Sequence, residues 1–313
     1  MKKISIGILF FGVIAGNVLA IDPVQFEVLH RYSNGSGVNE FRYYSVEGMG
    51  SNPSAPEGLA YVEGDFYITD NVNERIVKIS RDGEWDVFYA PVEPGIRLIP
   101  KGKLLFDLYT QGMYRIYDIE ENTLLTGGDV RVGNAGFFFH SVIAGDMLLV
   151  NIASSQANPE YYGFYIADNF EGKITMMNPD ETIKFLTEEY RGTEKFTVQD
   201  GYIFWNGRLV APYGPIYFQY YYGSRENNLT LWNAMQQRRF IGWDNMGNSY
   251  WDNAGRRVNV FTPSGKLIAD FYGENVNPYE KSQFAVAPDG SLYCLSYNMD
   301  QDKFELMKLE RFW

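Results

Sequence analysis

The sequence predicts an all-β protein, a six-bladed β-propeller of four-stranded antiparallel blades whose ring is closed by an N-terminal strand. Three observations predict it. Pro56 to Tyr89, "PEGLAYVEGDFYITDNVNERIVKISRDGEWDVFY", holds four short strand-like runs divided by three turn signals. A second stretch of the same design runs from Arg239 to Tyr272, and the last unit of the chain is one strand short.

In the first stretch "GLAYVE", "DFYITD", "RIVKIS" and "EWDVFY" have the length and the β-branched or aromatic content of strands. Between them stand "EGD", "DNVNE" and "RDG", whose Gly and Asn tolerate the positive φ of tight hairpins, so the unit is a meander. The second stretch repeats this order with turns at "NMGN", "DNAG" and "PSG". Fainter copies run from Arg97 to Gly127, from His140 through Gly163 to Leu186, from Lys195 to Gly214 and from Gln283 to Trp313. The spacing, roughly 40 to 50 residues, is that of propeller blades. Radial packing of such sheets protects most of their edges. The unit from Gln283 offers three strands, and "QFEVLHRY" near the start supplies the missing one, with Phe26, Val28, His30 and Tyr32 alternating against Gln25, Glu27, Leu29 and Arg31.

Residues 1–20 read as a signal peptide: Lys2 and Lys3, then the apolar "ISIGILFFGVIAG", then Val18 and Ala20 before a cut. Residues 21–313 then form one propeller domain, a monomer that is periplasmic or secreted. No later run approaches the ~18 apolar residues of a membrane span. Cys294 is the one cysteine, so no internal disulfide is available and a large core must carry stability. It reads as a small buried hydrophobe. The formal charge of −12 and the pI near 4.7 oppose binding to nucleic acid, whose phosphates are neutralised by Lys and Arg.

The first unit resembles an NHL repeat, through Pro56, Gly58 and Ala60 at its opening and Asp70, Asn73, Arg75 and Ile76 at its second turn. The later copy is similar through Asp252, Arg257, Val258 and "PSGK". An Asp ending one strand and an Arg opening the next sit across a turn, so Asp70–Arg75 and Asp252–Arg257 are expected as structural pairs. More distantly the chain is similar to SMP-30/gluconolactonase-like propellers. That resemblance implies a divalent cation such as calcium in the central channel, with Glu57 at the place of a family ligand. Where the family shows N-G and D-G, this chain has His140-Ser141 and Phe240-Ile241.

Aligning the units on their first Gly turns puts Glu57, Arg97, His140, Lys195, Arg239 and Gln283 at or near the starts of the innermost strands, which face the central funnel of a propeller. Such a ring suits a polar or anionic small ligand. A cation is less well served, since a calcium-type site takes about six oxygens and these bases repel it. The insertion from Ala211 to Met235 gathers Tyr213, Tyr217, Phe218, Tyr220, Tyr221, Tyr222 and Trp232, aromatic faces for stacking on a glycan or on apolar peptide side chains. No G-x-S-x-G elbow, phosphate loop, CxxC pair or HExxH is present, which removes the enzyme classes built on them. The expected role is a binding or interaction module for a polar small molecule, glycan or protein, with no cofactor and no catalytic residue. The alternative is a metal-dependent lactonase-type hydrolase using Glu57.

Overall fold

The structure is a computed structural model and describes residues 22–44, 54–89, 97–108, 113–129, 137–144, 147–153, 163–168, 173–177, 184–189, 195–199, 202–212, 239–253, 257–277 and 283–313. In chain order the first strands are β1 (Asp22–Val24), β2 (Glu27–Asn34) and β3 (Glu40–Phe41). Six groups of successive strands follow. Sheet one is β4 (Gly58–Val62), β5 (Asp65–Asp70), β6 (Arg75–Ile79) and β7 (Trp85–Tyr89). Sheet two is β8 (Arg97–Lys101), β9 (Leu104–Leu108), β10 (Met113–Asp118) and β11 (Thr123–Asp129). Sheet three is β12 (Phe137–Ala144), β13 (Met147–Ala153), β14 (Gly163–Asp168) and β15 (Lys173–Met177). Sheet four has β16 (Phe196–Gln199), β17 (Tyr202–Trp205) and β18 (Arg208–Pro212).

Sheet five is β19 (Arg239–Trp243), β20 (Ser249–Asn253), β21 (Arg257–Phe261) and β22 (Leu267–Gly273), extended by β1. Sheet six is β23 (Gln283–Val286), β24 (Leu292–Asn298) and β25 (Lys303–Leu309), extended by β2 and β3. Within each group neighbours in sequence pair antiparallel, so the sheets are meanders, the arrangement of propeller blades. Sheet four shows three strands among the described residues, where four are expected. Phe185–Glu189, at the tail of the third unit, is a turn of helix with Leu186 buried.

The strand missing from the last unit comes from the N-terminal segment: β2 pairs antiparallel with β25, Glu27 opposite Lys308 and Ser33 opposite Lys303. Its inward set is the expected one at its ends, with Phe26 and Tyr32 buried and Glu27 and Arg31 exposed. Two further pairings have no counterpart in the sequence pattern. β1 runs parallel to β22, and β3 runs parallel to β2. Pro23 fits an edge of this kind because it has no N–H to give a ladder.

Successive first strands pack on one another, β8 on β4, β4 on β23 and β23 on β19. Two glycines permit this. A Cβ at Gly58 would lie 2.8 Å from Thr69 Oγ1 and 3.2 Å from Leu98 N, and one at Gly242 would lie 2.6 Å from Val286 Cγ1. Each contact joins equivalent positions, so these strands start level with one another. β12 lies against β19, a pairing that a simple sequential order would interrupt with sheet four.

Apolar side chains fill the seams. Between sheets six and one lie Leu59, Ile68, Val77, Ala285, Leu295, Leu306 and the rings of Tyr32, Phe41 and Phe304. Phe41 is fully buried, its ring 4.6 Å from that of Trp85 and 5.5 Å from those of Tyr32 and Phe304. Burying one such ring is worth roughly 1.5–3 kcal/mol, which explains how a strand of two residues holds its place. Phe26, Val258, Phe271, Leu292 and Cys294 fill the seam of sheets five and six, and Ala60, Tyr67, Leu98, Leu105 and Tyr117 that of sheets one and two.

Candidate functional site

The first strands of sheets one and two start level with each other, as do those of sheets five and six. Glu57 immediately precedes β4 and is half-buried, its backbone N–H donating to Thr69 O at 3.2 Å. Arg97 is the first residue of β8 and lies opposite Leu108. His140 sits inside β12, just past a register slip at Phe138, and opposite Asn151. Lys195 is exposed and precedes β16, its N–H donating to Asn206 Oδ1 at 3.1 Å. Arg239 opens β19 opposite Asp252, and the buried Gln283 opens β23 opposite Leu295. The backbones of Arg97, His140 and Arg239 are described, while their side chains lie outside the described set. Residues 213–238, and with them Tyr213, Tyr217, Phe218, Tyr220, Tyr221, Tyr222 and Trp232, lie outside the described residues, as does the expected signal peptide.

The register exposes a second layer that the sequence reading missed. Continuing the Gly58–Thr69 pair by one residue places Asp70 opposite Glu57. Asn151, Asn206 and Asp252 hold the equivalent places beside His140, Lys195 and Arg239. Residues facing each other across an antiparallel pair share a face, with Cβ atoms about 5 Å apart. The available signal was an Asp or Asn toward the close of the second strand in four of the six units, visible once the units are aligned there and not at their first turns.

Asp70 is fully buried, and one of its two carboxylate oxygens is hydrogen-bonded while Oδ1 has no partner. Its Oδ2 accepts from Asn73 Nδ2 at 2.8 Å and from Arg75 Nε at 3.0 Å. Burial pushes its carboxyl above the ordinary value, against the pull of Asn73 and Arg75. Arg75 in turn donates through Nη2 to the carbonyls of Gly37 and Glu40, Asn73 donates to Gly35 O, and the guanidinium lies 5.5 Å over the Trp85 ring. The expected Asp70–Arg75 pair is therefore present, and it also grips the segment between β2 and β3.

The matching expectation for the later copy is corrected. Arg257 donates from Nε and Nη2 to the two carboxylate oxygens of Asp270, at 2.7 and 2.5 Å. In sheet one Asp70 faces Arg75 directly, whereas in sheet five Asn253 faces Arg257 and Asp252 faces Val258. The arginine then finds its acid diagonally across β22, since Asp270 faces Asn259 on the same side of the sheet.

For a divalent cation at Glu57 the fit is poor. The carboxylate opposite it is Asp70, whose Oδ2 is already held by Arg75 and Asn73 and leaves Oδ1 alone unpartnered, and among the described residues no three His, Cys, Asp or Glu side chains converge. The six starting positions carry three fixed cations, one carboxylate, one imidazole and one amide, and the facing layer adds the carboxylates of Asp70 and Asp252.

No family model matches the chain, and no curated protein matches it. Among solved structures it is similar to regucalcin from Agrobacterium tumefaciens, described as a calcium-binding protein, with 13% identity over 93% of this chain and 97% of that one and a TM-score of 0.46. It is similar also to a streptogramin B lyase (10% identity, 92% and 88% coverage, TM-score 0.45). A third is BamB from Moraxella catarrhalis (10% identity, 91% and 99% coverage, TM-score 0.43). No helix among the described residues is long and apolar enough to cross a membrane.

Proposed function

We propose that the chain is an exported, six-bladed, NHL-like propeller, closed by β2 in its last blade, that binds a polar small molecule carrying negative charge at the starts of its first strands. What carries the reading is position: Glu57, Arg97, Lys195, Arg239 and Gln283 each stand at the opening of a different sheet's first strand, with His140 near the opening of another. Three fixed cations at one end of an acidic protein attract a carboxylate or phosphate, and Glu57 accepts hydrogen bonds from its hydroxyl groups. A glycan or a protein segment is the occupant if the insertion from Ala211 to Met235, and not the first-strand starts, makes the contact.

Calorimetric titration with gluconate, citrate and a sugar phosphate tests the reading. Arg97→Ala and Arg239→Ala are each expected to weaken the best of these by about tenfold or more. The lactonase alternative draws on Glu57 and Asp70 facing each other in register. Tight one-to-one calcium binding that disappears in Glu57→Ala would establish it in place of the anion site.

A further inference from the structure

Sheet two ends at β11, and among the described residues no strand pairs with its outer side. A sheet edge presents unpaired N–H and C=O groups, and proteins blunt such edges with charge, proline or a covering segment. Sheets five and six are covered, since β1 lies along β22 and β3 along β2. β11 reads T-L-L-T-G-G-D, with no proline, no lysine and a single charge at its last residue. Leu124 and Leu125 are 40% and 51% exposed. On β10 the register slips, with Ile116 opposite Thr126 and Tyr117 opposite Leu124, so Leu125 is an extra residue and the leucines stand together at a bulge. Beyond them Gly127 and Gly128 offer bare backbone. A Cβ at Gly127 would lie 3.1 Å from Tyr114 O.

We infer that β11 is a self-association edge, pairing antiparallel with β11 of a second copy about a two-fold axis at Thr126. A two-fold contact has to be self-complementary. About Thr126, Leu124 falls opposite Gly128 and Leu125 opposite Gly127 of the other copy, leucine against glycine at each step. Asp129 falls opposite Thr123, so no like charges face each other. That matters in a chain of net −12, whose copies repel and approach at least cost along an almost uncharged strand. One strand pair covers far less than the ~1,600 Å² of a standard interface, and the bulge shortens the usable ladder, so the dimer is weak, with a Kd on the order of 100 μM.

Cross-linking tests the register. Thr126→Cys puts two thiols on the axis, where facing Cβ atoms are about 5 Å apart, close to disulfide reach. Thr123→Cys puts them at opposite ends of the contact, and the native Cys294 is buried. Under mild oxidation Thr126→Cys is expected to form covalent dimer about tenfold faster than Thr123→Cys, with the rate rising with concentration. Sedimentation velocity on the unmodified chain is expected to show mass increasing with concentration. Leu125→Lys, a change at an exposed site, is expected to abolish that increase with the melting temperature unchanged. Equal cross-linking by the two cysteine variants, a chain monomeric at every concentration, or an undiminished dimer in Leu125→Lys would each overturn the inference.

Discussion

In sheet one the third strand opens with Arg75 opposite Asp70, and in sheet five it opens with Arg257 opposite Asn253. The two units share their order of strands, turns and key residues, yet a shift of one residue sends one arginine back across its own turn and the other forward onto β22. The cost of the shift is small in sheet five, where Asp270 is at hand. In sheet one the direct pair leaves Arg75 Nη2 free to donate to Gly37 and Glu40, so the repeat residue becomes a socket for a segment from the other end of the sequence. A shared motif fixes the hairpin; the neighbours decide what else its side chains hold.

The largest effect is expected at the socket. Arg75 and Asp70 side chains are 10% and 0% exposed, and removing one partner of a buried pair strands the other's charge. Asp70→Ala should cost about 3 kcal/mol or more in urea unfolding. A loss of less than about 1 kcal/mol would mean the carbonyls of Gly37 and Glu40 suffice to hold Arg75. A smaller effect is expected in sheet five, where Arg257 is more exposed. A double-mutant cycle between Arg257→Ala and Asp270→Ala should give a coupling of about 1.5–2 kcal/mol, and the cycle with Asp252→Ala much less. Comparable coupling to Asp252 would restore the pairing that the motif alone implies.

The smallest effect is a matter of sign. Asp302 accepts from Tyr297 Oη and from Asn34 Nδ2, and these bonds hold its carboxyl below the ordinary value. A lowered carboxylate contributes stability that is present above its unfolded pKa and lost as pH falls through the folded one. Asp70 is raised, so its titration contributes in the opposite direction, present below the unfolded pKa and lost as pH rises through the folded one. Melting curves between about pH 2 and 7 should therefore show Asp302→Asn losing an increment at the neutral end that shrinks toward acid. A difference that grows toward acid would contradict the assigned cause.

Much of this is legible in the sequence alone. β4–β7 and β19–β22 follow from runs of Val, Ile, Tyr and Phe between Gly and Asn turns, and β2 follows from the strand the last unit lacks. β1 and β3 were invisible because two or three residues carry no period, and their hold comes from Phe26 and Phe41 in distant cores. The backbone positions of five of the six site candidates were readable because turns mark strand starts, while His140 lies three residues inside β12. Their facing partners Asn151 and Asn206 were not, since register is set by pairing across the sheet. Arg257 was misassigned for the same reason.

The pairing of β2 with β25 carries a temporal consequence. Arg31 and Glu305, joined at 2.8 Å, are 274 residues apart in the chain, so one of the first strands to be made waits for the last. Closing so long a loop costs chain entropy before any contact rewards it, and folding slows as such contacts dominate. Through that interval β2 has no partner strand, and the rings of Tyr32 and Phe41 lack the side of their socket that Phe304 and Leu306 supply. The newly made chain is thus most prone to clump just before its final strand arrives, and the charges of Glu27 and Arg31 on β2 act as its guard while it waits.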